Sequence, residues 1–150
     1  LETSKVKPFL MDGLIYVVIG RNQTNCASVN YGSLIFIWDQ NNNFHLVQRI
    51  PLIHVSDIVY FENNGKHYLA ISDSSQESVT QSAQNIYIYR NQFNKRNCSF
   101  YLFQKLEFDN TLQLEAFTFG KSNSPQQFLA AVSNSLVKIW QLQGMIILCF

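Results

Sequence analysis

Short runs of alternating apolar and polar residues cover most of the chain, and three of these runs are nearly identical in pattern. They are Leu34–Asp39, Asn85–Arg90 and Leu136–Gln141. Alternation at a period of two is typical of a β-strand with one buried face. Ile35, Ile86 and Val137 begin the apolar part of each run and are 51 residues apart each time (86 − 35 and 137 − 86). A fixed spacing of this size indicates a repeat architecture.

The middle copy of the repeat predicts four strands and serves as a template. They are Asp57–Phe61, His67–Ser72, Ile86–Arg90 and Phe100–Leu106, and Asn64-Gly65 between the first two is a strong signal for a tight hairpin turn. The outer copies fit the same template. The first copy supplies Tyr16–Gly20, Leu34–Asp39 and Phe44–Ile50, and the third supplies Leu114–Phe119, Phe128–Ser133 and Val137–Gln141, with its fourth strand missing or replaced.

Each unit is therefore predicted to be a four-stranded antiparallel meander. One such sheet cannot bury both faces alone, and stacking several face to face does so. Ala70, Ala130 and Ala131 lie in second strands, where short side chains allow neighbouring sheets to approach closely. The expected fold is all-β: a β-propeller fragment of about three four-stranded antiparallel blades in an incomplete ring. The expected blades are about 6–50, 56–106 and 114–143, followed by an atypical or truncated tail at 144–150.

Composition and charge narrow the classes of partner. Charged residues make up 14% of the chain and its formal net charge is +1, which does not favour nucleic acid or an anionic membrane. The apolar segment Met145–Phe150 has six residues, whereas a membrane-spanning helix needs about 20, so no membrane insertion is expected. The N-terminal residues, Leu1–Lys5, contain no apolar signal core and are interpreted as a cut edge.

No metal or cofactor site is predicted. Cys26, Cys98 and Cys149 are far apart in the sequence and have no zinc-ligand spacing. Cys26 and Cys98 are expected in loops at opposite ends of the blades, which argues against a disulfide between them. The loop Asp73–Glu77 contains two carboxylates but lacks the alternating acidic residues and glycine of a calcium loop.

No catalytic residue is predicted, so the chain is not expected to be an enzyme. His45, His54 and His67 have no partner motif, and no nucleophile elbow or phosphate-binding loop occurs. Asp57 and Glu115 align as equivalent positions of the repeat. We expect their carboxylates to accept hydrogen bonds from backbone N–H groups of a neighbouring sheet rather than to act as acids or bases.

The sequence also contains two candidate sites of N-glycosylation and a set of aromatic residues that alternate along the predicted strands. Asn22-Gln23-Thr24 and Asn97-Cys98-Ser99 fit the acceptor pattern for N-glycosylation, both in predicted loops, so Asn22 and Asn97 are candidate sites if the protein is secreted. Aromatic residues at a period of two are predicted to form core between blades rather than a stacking site for sugars or bases. These are Trp38, Tyr87, Tyr89, Phe100, Phe103 and Trp140.

The units resemble the EAR (epilepsy-associated, or EPTP) repeat of extracellular proteins. The resemblance rests on an acidic residue followed by an aromatic strand end (Asp57–Phe61, Glu115–Phe119) and on Tyr68–Ser72 and Phe128–Ser133 as second strands. It also rests on Ile86–Tyr89 and Val137–Trp140 as third strands, and on Phe100–Gln104 as a fourth. It covers roughly residues 15–142, with Lys138 and Phe36 as departures from the pattern.

The resemblance implies a non-enzymatic module that binds a protein ligand or receptor, or acts in adhesion, outside the cell or at its surface. The predicted recognition surface comprises the second-to-third strand loops, Arg21–Ser33 and Asp73–Gln84, and the fourth-to-first connections, Pro51–Ser56 and Asp109–Gln113, on one face. An intracellular WD40-like scaffold and a fragment of a propeller enzyme are the alternatives. The WD40 reading is weakened because its Gly-His dipeptide is absent.

Overall fold

Every secondary-structure element is a β-strand in the computed structural model, which describes residues 5–21, 32–39, 41–74, 85–94, 97–108, 110–120, 125–143 and 146–149. The strands of the first sheet are β1 (Lys5–Met11), β2 (Leu14–Gly20), β3 (Ser33–Trp38) and β4 (Phe44–Ile50). Those of the middle sheet are β5 (Val55–Asn63), β6 (Lys66–Asp73), β7 (Asn85–Asn94) and β8 (Asn97–Glu107). Those of the third are β9 (Gln113–Phe119), β10 (Gln126–Val132), β11 (Val137–Gln143) and β12 (Ile146–Cys149).

Each sheet is an antiparallel meander in which consecutive strands pair, as the sequence predicts. The β5–β6 turn is Asn64-Gly65, and the β1–β2 turn is Asp12-Gly13. All four residues have positive φ, between 51° and 77°. Two successive residues of this kind give a turn whose twist matches that of the strands it joins. The sequence therefore fixes these two hairpins locally.

The sheets stack, and both faces of the middle sheet are covered. Along β6, Leu69 and Ile71 join a core with the first sheet, whereas Tyr68 and Ala70 join a second core with the third sheet. β5 and β7 alternate in the same way. We call the side of the first or middle sheet that faces the next sheet in sequence its front face, and the other side its rear face. In the third sheet, the rear face is the side that packs on the middle sheet, and the front face is the opposite side. β1 lies beside β5, and β5 beside β9.

The two cores are built from equivalent residues. In each sheet one aromatic residue of the first strand lies opposite, and stacks on, one of the second strand. The pairs are Phe9–Tyr16, Phe61–Tyr68 and Phe117–Phe128, with ring centroids 5.4, 5.2 and 5.4 Å apart. Each pair lies on a front face. The small side chains at Ala70 and Ala131 are both fully buried in the interface between the middle and third sheets, which agrees with the predicted close approach there.

The backbone register corrects the constant spacing of 51. Ile35 pairs with Val18 and Ile88 with Ala70, and a β-bulge follows both Ile35 and Ile88. Ile88 rather than Ile86 is thus the structural counterpart of Ile35, and Ile139, opposite Ala130, is that of the third sheet. A displacement of two residues keeps a side chain on the same face, so the core pattern survives.

The three positions that start the repeat do not share one depth. Ile35 and Ile86 are fully buried, whereas 61% of Val137 is exposed. All three belong to front faces. Ile35 is covered by the middle sheet and Ile86 by the third, but no described residue covers the front face of the third sheet. Val137 is therefore exposed because of its place in the stack.

Two stretches differ from their prediction. The segment predicted as an atypical tail, 144–150, contains β12, which pairs with β11 as a fourth strand. The polar connection predicted at Asn91–Ser99 is mostly strand, because β7 and β8 extend until Asn94 pairs with Asn97. Cys98 thus lies within β8, opposite Phe93, rather than in a loop.

The expected role of Asp57 is confirmed, but its equivalence with Glu115 is not. The Asp57 carboxylate (Oδ2) accepts a hydrogen bond of 2.7 Å from the backbone N–H of Leu114 in the third sheet. Glu115 lies opposite Ala130, whereas Asp57 lies opposite Ser72, two positions farther along the repeat. The connection between β9 and β10 spans 120–125, compared with two residues in the middle sheet, and this length shifts the register.

Replacing Asp57 by alanine is expected to lower the free energy of unfolding by about 2 kcal/mol. The substitution removes a charge-assisted hydrogen bond between sheets and leaves the Leu114 N–H without its acceptor. Chemical denaturation measures the change. Glu115→Ala, on the exposed front face, is the control and is expected to change stability by less than about 0.5 kcal/mol. Equal losses for the two variants would contradict the assigned contact.

Candidate interaction site

The three histidines, His45, His54 and His67, lie in three separate environments. His45, on β4, pairs with the Asp39 carboxylate in the exposed β3–β4 turn. The Asp39 carboxylate also accepts bonds from the backbone N–H groups of Asn41 and Asn43. The hydrogen bond from Asn43, followed by that from His45, lowers the pKa of Asp39. His54 lies in the connection between the first two sheets, and His67 lies on β6. The part of the chain that the structure describes contains no group of three metal-ligating side chains.

A polar cleft of about 800 Å³ opens beside His67. It lies where the β1–β2 and β5–β6 turns approach the middle of the β7–β8 hairpin, at Arg90–Gln92 of β7 and Tyr101 of β8. Its lining consists of Asp12, Gly65, Lys66, His67, Arg90, Asn91, Gln92 and Tyr101. Cationic, anionic and amide groups thus converge with the rings of His67 and Tyr101. This mixture suits hydrogen bonding to a peptide or protein surface.

A chain of contacts fixes His67 at the wall of the cleft. The Tyr60 hydroxyl and His67 Nδ1 are 2.8 Å apart and share a hydrogen bond, and the His67 Nε2 atom is 3.4 Å from the Asp12 carboxylate (Oδ1). The Tyr60 ring stacks on Phe9 of the first sheet at a centroid distance of 4.4 Å. Since 14% of the His67 side chain is exposed, compared with 49% of Asp12, the carboxylate is the more accessible group. Sheet stacking therefore brings residues of two repeats into one site.

The same packing raises the pKa of buried tyrosines, two of them to about 12. Burial raises the pKa of Tyr60 to about 12, and the charges of Glu62 and Asp12 add to the shift. Burial likewise raises the pKa of Tyr89 to about 12, and Tyr87 and Asp73 contribute. Both hydroxyls are therefore protonated in the folded protein at a pH where an unfolded tyrosine, with a pKa of about 10, is ionised.

Stability is expected to fall as the pH rises from about 10 to about 12. In this range the unfolded state binds fewer protons than the folded state, so each rise in pH favours unfolding. The stabilisation is complete below pH 10 and is lost as the pH passes the folded pKa. Urea denaturation at stepped pH measures it. Tyr89→Phe removes one of these groups and should flatten the decline; a decline as steep as that of the unmodified protein would contradict it.

The ends of the predicted recognition loops lie together at the other end of the sheets. Val55 N–H donates to the Arg21 carbonyl (2.8 Å), and Ser74 N–H donates to the His54 carbonyl (2.9 Å). Ser33 donates through its N–H and its hydroxyl to the Leu52 carbonyl. The connection between β4 and β5, residues 51–54 in the structure, is thus anchored beside the ends of both second-to-third strand loops. Residues 22–31 and 75–84 of those loops lie outside the described residues.

Of the two candidate glycosylation sites, only Asn97 lies among the described residues. Asn22 lies outside the described residues, as does Cys26. Asn97 was expected in a loop but is the first residue of β8, paired with Asn94 at the end of a hairpin. Its acceptor pattern therefore lies at the tip of the β7–β8 hairpin.

Sequence reasoning did not find the Asp12–His67–Tyr60 cluster. The Asp12-Gly13 and Asn64-Gly65 turns are readable as hairpins, and His67 follows the second of them. Nothing in the sequence shows that the two turns are neighbours, because that depends on how the first two sheets are offset.

The described residues form no helix of the length and apolarity needed to cross a bilayer.

Comparison of the sequence with protein-family models and with curated proteins gave no match. The resemblance to the EAR repeat therefore stays a prediction.

Proposed function

We propose that the three sheets are blades of an incomplete β-propeller and that the chain is a non-enzymatic, extracellular or cell-surface module for protein–protein binding. The observation that carries this proposal is the repeated, one-directional stacking of the sheets. Equivalent residues form both internal interfaces, and the first strands β1, β5 and β9 lie side by side, as strands nearest a common centre would. Such stacking gives a rigid scaffold that presents turns and loops.

The cleft beside His67 is the proposed contact surface for the partner. Its position between two blades, its size and its mixed charges suit an extended segment or a loop of another protein. Tyr101 and Arg90 are residue types that often anchor protein interfaces. The Tyr60–His67–Asp12 contacts hold the wall of the cleft in place and are assigned a positioning role.

Screening the chain against an array of cell-surface and secreted ectodomains tests the proposal. We expect saturable binding to at least one ectodomain, with binding reduced by Lys66→Glu and by Tyr101→Ala in the cleft. Thr118→Ala, an exposed position on β9, is the control and should bind normally. Failure of every ectodomain to bind, or binding that the cleft variants leave unchanged, would overturn the proposal.

Secretion provides a separate readout. After expression through a secretory pathway, peptide mapping with glycosidase treatment is expected to show glycans on Asn22 or Asn97. Retention of the full chain in the cell with both asparagines unmodified would favour the intracellular scaffold instead.

A further inference from the structure

The two outer faces of the stack are apolar and exposed. On the front face of the third sheet, the exposed fractions are 38% for Phe117, 73% for Phe119, 61% for Val137 and 44% for Ile139. On the rear face of the first sheet, they are 59% for Val6, 62% for Leu10, 57% for Phe44 and 43% for Leu46. Contiguous apolar surface of this extent marks an interaction site in a soluble protein.

The residues on these outer faces are the repeat counterparts of the residues that pack the three sheets together within the chain. Phe117, Phe128 and Ile139 occupy the positions that Phe61, Tyr68 and Ile88 fill at the interface between the middle and third sheets. On the rear face of the first sheet, the register makes Val17, Ile19 and Phe36 the counterparts of Leu69, Ile71 and Tyr89. Phe44 is likewise the counterpart of Phe100, since the strands β4 and β8 pair equivalently.

The rear face also has an unfilled hollow at the place where an internal interface is filled. Val17, Ile19, Phe36 and Phe44 line an apolar depression of about 200 Å³. Their counterparts in the middle sheet are all buried in the core that the first sheet covers. There, the Phe9 ring lies 4.4 Å from that of Tyr60 and 6.2 Å from that of Phe100. The third sheet presents Phe117 in the position of Phe9.

We propose that two copies of this chain associate head to tail, with the front face of the third sheet of each copy packed on the rear face of the first sheet of the other. Phe117 of one copy then lies beside Phe44 of its partner, as Phe9 lies beside Phe100 within one chain. The contact uses different surfaces on the two copies and repeats until the assembly closes.

The number of blades in a closed ring and the surface area buried by each contact both favour an assembly of two copies. A closed ring of three-sheet chains has a multiple of three blades, and six is the only multiple within the usual range of about four to eight; this step rests on the proposed propeller. A face of four strands, about 4.8 Å apart and about seven residues long, covers roughly 450 Å². One contact buries about 900 Å² in total, below a standard interface, whereas two contacts bury about 1,800 Å², within its range.

Sedimentation equilibrium of the 150-residue chain tests the proposal. We expect a mass of twice 17.3 kDa at micromolar concentrations, with no larger species. A mass of 17.3 kDa throughout would overturn the association, and a mass that keeps growing with concentration would overturn closure of the ring. Ectodomain binding is a separate measurement, so failure of one proposal is distinguishable from failure of the other.

A charge-exchange pair tests which faces meet. Phe117→Glu and Phe44→Lys each place a charge in both contacts of the ring, and each alone should weaken the dimer roughly 100-fold or more. Mixing the two variants should restore a dimer that contains one copy of each, because one contact is then unmodified and the other pairs Glu with Lys. A dimer built by packing like faces together would not be restored in this way, and that result would overturn the head-to-tail arrangement.

Leu102→Glu is the matched control. Leu102 is 51% exposed and apolar, but it lies on β8 of the middle sheet, away from both outer faces. The control is expected to remain dimeric. Circular dichroism of all three variants establishes that they keep the β fold, so loss of the dimer reports the interface. A control as monomeric as the other variants would overturn the assignment of the faces.

Discussion

Leu69→Ala is expected to lower the free energy of unfolding by about 3 kcal/mol, and Leu129→Ala by a similar amount. The two leucines are repeat equivalents on the rear faces of the middle and third sheets, and both are fully buried. Truncation removes apolar contact and leaves a cavity that rigid neighbouring sheets fill poorly, which typically costs about 2–5 kcal/mol. A loss of this size is a large fraction of the stability of an ordinary domain.

Val17→Ala is the position-matched comparison. Val17 is the counterpart of the two leucines in the first sheet, but it lies on an outer face and is only half-buried. Its truncation is expected to cost less than about 1 kcal/mol in the monomer. Urea denaturation of the three variants, under conditions where the chain is monomeric, measures the series. If Val17→Ala destabilises the chain as much as Leu69→Ala, the assigned direction of stacking is wrong.

The strands and the all-β class could be predicted from the sequence because their causes are local. The alternation of Ile86, Tyr87, Ile88 and Tyr89 directs isoleucines to one core and tyrosines to the other. Asn64-Gly65 specifies its turn through two residues with positive φ. Neither feature needs information from another sheet.

Exact equivalence between the repeats could not be predicted, because it is set by strand pairing. A fixed spacing of 51 matches Ile35 to Ile86, but pairing matches it to Ile88, and the bulge after each isoleucine is invisible in the sequence. The six-residue connection between β9 and β10 shifts Glu115 in the same way. Hydrophobic patterns tolerate such displacements by two, since the face is unchanged.

The cleft could not be predicted for a related reason. Asp12 and His67 are 55 residues apart (67 − 12) and are joined only by the offset with which the first sheet packs on the middle one. Stacking of Phe9 on Tyr60 sets that offset, and Tyr60 then holds His67. A site made by packing between repeats has no signature within either repeat.

The Gln48 side chain bridges the first and middle sheets at the edge of the same interface. Gln48 on β4 reaches the middle sheet, where its amide nitrogen (Nε2) donates to the Phe100 carbonyl at 2.6 Å. Its amide oxygen (Oε1) accepts from the Phe100 N–H at 2.7 Å. The side chain thus imitates a strand partner and joins the outer strands of two sheets. Gln104 is its counterpart in the middle sheet, at the same place in the Phe-x-Leu-x-Gln pattern that β4 and β8 share.

Gln48→Leu is expected to lower the free energy of unfolding by about 2 kcal/mol, because it leaves the two partly buried backbone groups of Phe100 without their partner. Denaturation with urea measures the loss. Gln127→Leu removes an exposed amide that accepts from the Thr118 hydroxyl, and it should cost less than about 0.5 kcal/mol. Similar losses at both positions would show that the Gln48 contacts add nothing specific.

Gln48→Glu separates the hydrogen bonds from the volume of the side chain. At neutral pH the carboxylate still accepts from the Phe100 N–H but repels the Phe100 carbonyl, so the variant should be less stable than the unmodified protein. Protonation converts one oxygen to a donor and restores both bonds. The folded state therefore favours the protonated form, and the deficit should shrink as the pH falls through the raised pKa of the new carboxyl group. A deficit that does not change between neutral and mildly acidic pH would mean that the side chain acts by filling space rather than by bridging the two sheets.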